Sequence, residues 1–237
     1  MADKKKDLEE SIKEFAEEMK GKNEKTENQK IKLNPVTLSR VQKEEERIAY
    51  PTEKYPYINE DGEIVYEVWK MKNCIEPFYI MRPQENGQVK PGLSRKTKTI
   101  PYNLPNVMKA KEEGVAIIVT EGERQANIFN ELEYVATSVI GKDTDKWRTK
   151  YNKYVKYANV LIIANNDDKS REFADLTFSE ISEVANNVGI LELSSLYPQL
   201  KEGGGIEELR NVVNDDKYLK EVLDSVIADL LSNVEVK

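Results

Sequence analysis

"AIIVTEGERQANIF", residues 116–129, changes character halfway along. Ala116 to Val119 are apolar, Thr120, Glu121, Gly122 and Glu123 follow, and apolar residues then return at helical spacing. A short apolar run closed by polar residues reads as a buried strand, and the part after Gly122 as a helix. "VLIIANNDDKSREFA", residues 160–174, repeats this grammar, its apolar run ending at Asn165, Asn166, Asp167 and Asp168. Val135–Ile140 and Ile190–Leu193 read as two further strands, with helical sequence between. The βαβαβαβ order predicts a mostly parallel sheet with helices on both faces. Ligands of such sheets bind outside the carboxyl ends of the strands. Glu121 stands at one such end, Asn165 to Asp168 at another, and "KEGGGIEELR", residues 201–210, after a third.

Outward from this core the pattern differs. "KYPYINEDGEIVYEVWKMK", residues 54–72, sets Asp61-Gly62 between two runs rich in Tyr, Ile and Val, a hairpin signal. A short strand, a turn at Asn86-Gly87 and a loop at Pro91-Gly92 continue it. The sequence therefore divides into a charged, partly helical or disordered extension over 1–47, a small β-rich lobe over 48–113, and an α/β domain with C-terminal helices over 114–237. In the extension, Leu8, Ile12, Phe15 and Met19 lie at helical spacing, as a solvated amphipathic helix or a docking helix for a partner. Leu176 and Val184 are expected to face inward with Phe173 and Ile181.

Residue usage bounds the chemistry. The 237 residues contain one cysteine, Cys74, and no histidine. An internal disulfide, a histidine-based triad and the usual zinc sites are excluded, and a reducing cytoplasm is the expected home. Any metal must be held by oxygen, which favours magnesium, manganese or calcium. Carboxylates gathered in a polar cleft repel one another unless a cation neutralises them. No stretch approaches the ~20 apolar residues that span a bilayer, and "MADKKKDLEE" has no signal-peptide core. A net charge of −7 argues against broad attraction to nucleic acid but leaves room for a local basic groove. Arg82, Lys90, Arg95, Lys96 and Lys98 read as a phosphate-tracking patch or a solvated loop. Lys142 and Lys146, with Lys150, Lys153 and Lys156 among tyrosines, read as a basic helix face or as the outside of a packed one.

At "IVTEGERQANIF", "VLIIANNDD" and "EGGGIEEL" the chain resembles the TOPRIM domain of primase-like proteins of phages and plasmids, relatives of bacterial-type DNA primases. "YPYINEDGEIVYEVWK", "FYIMRP", "KTIPYNLP" and "GKDTDKWRTKYNKYV" extend the resemblance over about Tyr55 to Leu209. It implies a TOPRIM-like sheet and nucleotidyl transfer supported by Mg²⁺ or Mn²⁺, with Glu121 as acid or base. It puts Asp167 on one metal-binding aspartate and Asn165 on another, which is thereby lost. Gly205 falls where a further aspartate is expected, Glu208 keeps the next acidic position, and Asp168 is close enough to compensate. The zinc ribbon that often precedes such cores cannot be built. The implied function is replication on single-stranded DNA with metal chemistry weakened or lost, and a helicase or polymerase as partner. An inactive module for nucleic acid or a replication partner, and a metal-dependent nuclease, are the alternatives.

Overall fold

A computed structural model describes residues 50–72, 77–84, 86–140 and 147–232. The extension over 1–47, Cys74, Lys142 and Lys146 lie outside the described residues. The chain forms two compact units. One comprises the residues up to Pro56 with Ile64–Thr97, and the other Tyr57–Glu63 with Lys98–Lys237.

The first unit is built on an antiparallel meander. β1 (Tyr50–Ile58), β2 (Ile64–Lys72), β3 (Phe78–Pro83) and β4 (Val89–Pro91) lie side by side in chain order. Trp69, Met71 and Met81 form its buried cluster, with Tyr79 and Val89 packed against it. The register sets Trp69 opposite Tyr79 and Arg82 opposite Lys90. The Asp61-Gly62 turn has a local cause: Asn59 Oδ1 accepts from the backbone N–H of Asp61 at 3.0 Å and of Glu63 at 2.8 Å. Gly62 supplies the positive φ of 84° that this turn needs.

The second unit holds β5 (Ile117–Thr120), β6 (Val135–Ser138), β7 (Asn159–Ala164) and β8 (Asn187–Glu192), all parallel, in the order β6-β5-β7-β8. Ile117, Ile118 and Val119 on β5 and Val160, Leu161 and Ile162 on β7 are buried, as strands covered on both faces require. α1 (Leu104–Glu113), α3 (Asn152–Val155) and α4 (Asp168–Ile181) pack in sequence on one face. α2 (Glu123–Glu131), α6 (Ile206–Val213) and α7 (Asp216–Ser232) pack on the other. A short α5 (Leu193–Leu196) follows β8. The expected α/β class with a mostly parallel, doubly covered sheet is the fold observed.

Several local expectations are corrected. The strand predicted over Val135–Ile140 stops at Ser138. The helical sequence expected between β6 and β7 is, among the described residues, a 3₁₀ turn over Thr149–Tyr151 followed by the single turn of α3. α1 was not expected, because only Leu104, Val107 and Ala110 are buried in its ten residues. Leu176 points outward at 41 % exposure, since the buried stripe of α4 runs Ser170, Phe173, Ala174, Thr177, Ile181. Asn214, with φ 49°, ends α6 before α7 begins at Asp216. No helix among the described residues is long and apolar enough to cross a membrane.

Phe129, fully buried on α2, anchors that helix in the core. Phe129→Ala is expected to cost about 3–5 kcal/mol of stability, read from the urea midpoint. Arg210 bonds Asp216 at 2.8 and 2.7 Å and Glu131 at 2.5 Å, joining α6, α7 and α2. These hydrogen bonds hold the Asp216 carboxyl below its ordinary value of 3.8. The pair therefore stabilises the fold above that pH and loses its contribution as pH falls through the depressed value. The stability gap between wild type and Arg210→Met, followed by urea titration, should be present at neutral pH and shrink below the ordinary carboxylate range.

Candidate functional site at the strand ends

The strand order fixes where a site can form. The chain leaves β5 towards β6, then returns past β5 to β7 and β8. The helix after β5 thus covers one face and the helix after β7 the other, which opens a crevice between the two strand ends. β5 and β7 run in parallel register, Val119 opposite Ile162. Glu121 and Asn165 leave these ends, and Asn165 Nδ2 donates to Glu121 Oε2 at 3.4 Å.

The third loop is fastened to the second by main chain. Asn166 N–H donates to Gly204 O at 2.9 Å and Gly203 N–H to Asn166 O at 2.8 Å. The Asn166 side chain adds a bond to Leu200 O at 2.7 Å. Gly205 then lies directly against Asn165: a Cβ on Gly205 would stand 2.8 Å from Asn165 Oδ1 and 3.5 Å from Gln125 Nε2. Asn165 is 6 % exposed and its Oδ1 is buried without a hydrogen-bond donor, as is Gln125 Oε1. Glu121, Asn165 and the 201–205 loop therefore do meet on one rim.

The acids around that rim have other employment. Asp167 caps α4, its Oδ1 accepting from Ser170 N–H at 2.8 Å, while Ser170 Oγ accepts from Asn165 N–H at 2.9 Å. Asp168 is fully exposed and pairs with Arg171 at 3.1 Å. Glu208 is 3.7 Å from Lys201. Glu207 takes a two-pronged grip from Arg124, whose Nε donates at 2.9 Å. Glu123 is buried and accepts from the Tyr57 hydroxyl at 2.7 Å, with Tyr57 edge-on to Tyr102 at 5.5 Å. Burial raises the Tyr102 pKa first, and the Glu123 charge adds to it.

The divalent cation implied by the family resemblance does not fit this donor set. Among the described residues, no three Asp, Glu, Cys or His side chains gather so as to hold a metal. The expected set of Asp167, Asn165, Asp168 and Glu208 is not brought together as ligands around Glu121, because a cap, two ion pairs and an amide contact engage its members separately. Of the expected basic residues, Arg95, Lys96 and Lys98 are exposed and Arg82 is half-buried. Gln125, Arg124 and Lys201 were not singled out from sequence. Gln125 stands four residues after Glu121, in the first turn of α2, which is the signal that would have found it.

No family model matches the chain, and no curated protein does. Three solved structures show similarity to the chain. The catalytic core of the E. coli primase is 11 % identical, with 67 % of this chain and 47 % of that one covered and a TM-score of 0.49. A DnaG primase catalytic domain bound to single-stranded DNA is 11 % identical, covering 74 % and 52 %, with a TM-score of 0.48. The Aquifex aeolicus primase, comprising zinc-binding and RNA polymerase domains, is 16 % identical, covering 83 % and 49 %, with a TM-score of 0.49. The chain spans about half the length of each.

Asp167→Ala is expected to cost about 1 kcal/mol through loss of the helix cap, whereas Asp167→Asn retains most of that stability because Asn also caps. Thermal unfolding of both variants checks this. Equal losses in the two would assign Asp167 to its charge instead.

Proposed function

We propose that this chain is a primase-related protein of a phage or other mobile element, acting in DNA replication. It binds single-stranded nucleic acid, and its metal-dependent nucleotidyl transfer is weakened or lost. The observation that carries this reading is the 3.4 Å contact between Asn165 Nδ2 and Glu121 Oε2. Two carboxylates about 4 Å apart repel by about 4 kcal/mol at an effective dielectric near 20, and a cation normally offsets that cost. An amide at residue 165 removes the repulsion and supplies a donor, so the pair is stable with no cation. Gly205 supports the same reading, since a side chain there would collide with Asn165 Oδ1. The two departures from the acidic motifs interlock.

Binding is supported by cations that lack carboxylate partners. Arg82 and Lys90 face each other across the β3–β4 pair, an arrangement that costs energy between like charges. Arg95 and Lys96 follow on an exposed loop, and none of the four makes an ion pair among the described residues. An anionic backbone lying along them would relieve that repulsion.

The test is fluorescence anisotropy with a labelled single-stranded oligonucleotide, run beside primer synthesis with Mg²⁺ or Mn²⁺. Affinity should change less than twofold on adding EDTA. It should fall with salt at a log–log slope at least as steep as about −3, the value that four phosphate contacts alone give on a single strand. Primer synthesis should be absent or trace. Robust synthesis abolished by Glu121→Gln would establish an active primase instead, and release of labelled fragments a nuclease. Absence of single-strand binding would overturn the reading.

A further inference from the structure

Residues 147–157, "WRTKYNKYVKY", contain Arg148, Lys150, Lys153 and Lys156 and no acid, in a chain of net charge −7. The three lysines recur every third residue, each directly before a tyrosine. Over the 3₁₀ turn and α3 this spacing keeps them along one edge, because residues three apart are neighbours on such turns. Tyr151 and Tyr154 go into the core, at 2 and 6 % exposure. Each ammonium lies over the ring that follows it, at 5.0, 4.3 and 4.8 Å for Lys150, Lys153 and Lys156. The third tyrosine breaks the pattern: Tyr157 is 74 % exposed.

Its backbone is as unusual as its exposure. Lys156 has φ −59° and ψ 124°, Tyr157 has φ 65°, and Ala158 N–H donates to Val155 O at 3.0 Å. These are the features of a type II turn with Tyr157 in the position where Gly or Asn is preferred. A bulky residue in the left-handed region is strained; the Tyr157 N–H is held by Val184 O at 2.9 Å, which any residue at this position could supply, while the ring itself lies outside. Such strain retained on an exposed aromatic points to a use for the ring.

The cations along the same edge are weakly compensated. Lys153 meets Glu60 at 3.7 Å with both side chains more than half exposed, a pair of little worth in water. Glu180 is engaged by Thr149 at 2.9 Å. Arg148 and Lys156 make no ion pair among the described residues. Desolvation, with a smaller contribution from the Arg148 charge, lowers the Lys150 pKa.

We propose that Lys150, Lys153, Lys156 and Tyr157 form a binding site for single-stranded nucleic acid on the α/β unit, the lysines holding successive phosphates and Tyr157 stacking on one unpaired base. The proposal rests on the reading of the chain as a single-strand binder and adds residues of the α/β unit to Arg82, Lys90, Arg95 and Lys96. Phosphate contacts give affinity without sequence choice, and an exposed ring accepts any base face.

The experiment uses the full chain and a labelled oligo-dT in anisotropy titrations, with thermal unfolding of every variant. Tyr157→Gly should leave the Tm unchanged or raised, since Gly suits the turn, yet weaken binding at least ~5-fold, the low end for one lost base stack. Tyr157→Asn, which also tolerates the turn, should do the same. Lys150→Gln, Lys153→Gln and Lys156→Gln combined should reduce the salt slope by about 2. An oligonucleotide carrying 4-thiothymidine should photocrosslink to the 147–157 peptide. If wild type binds while Tyr157→Gly and Tyr157→Asn stay within twofold of it, this site is overturned and the broader reading stands. If a duplex competes as well as the single strand, base stacking is overturned. If wild type binds no single strand, both fall.

Discussion

Everything at the candidate site follows from β5 and β7 ending side by side. Parallel strands in register deliver their last residues to the same level, and the reversal of strand order between them leaves that level uncovered by either following helix. Two acidic groups delivered to such a place would need an ion. This chain delivers one acid and one amide, Glu121 and Asn165, with the amide donating to the carboxylate. The buried Ser170 hydroxyl and the Asp167 cap hold the amide's backbone in place, so the acid–amide arrangement is built in from the start of α4.

The remaining acids show the same economy of charge. Arg124 takes Glu207, Lys201 stands by Glu208, and Arg171 meets Asp168. Exposed pairs of this kind contribute little stability each. Their effect here is on the potential at the rim, which they bring towards neutrality. Cations that make no ion pair among the described residues gather instead along β3–β4 with the loop that follows, and along the edge of residues 148–156.

The strands of the α/β unit were legible because buried parallel strands are short, apolar and bounded, and Ile117–Thr120 and Asn159–Ala164 are all three. The hairpin at Asp61-Gly62 was legible because glycine at a positive φ is a local requirement. α1 was hidden because three buried residues among ten leave a weak period. Leu176 was misplaced because the phase of α4 is set by its cap at Asp167, and counting apolar residues does not reveal a phase. At the site, sequence located the loops and singled out Asn165 and Gly205, which the structure puts against each other. It did not reveal that Asp167, Asp168, Glu207 and Glu208 would be engaged by a cap and three cations, since those partners come from elements the local pattern does not connect.

The way the 201–205 loop is attached has a bearing on how this rim can change over generations. Its fastening to the end of β7 runs through the main-chain groups of Gly203, Gly204 and Asn166, and Gly203 meets its φ of 74° without a side chain. A tether of peptide groups is blind to what its residues carry outward. Glu202 and Lys201 are accordingly free to drift in chemistry while the loop keeps its path, whereas Gly204 and Gly205, where any added carbon would strike a neighbour, are not. The rim thus has a fixed floor and an editable lip, and diversification of what it greets is channelled to the lip.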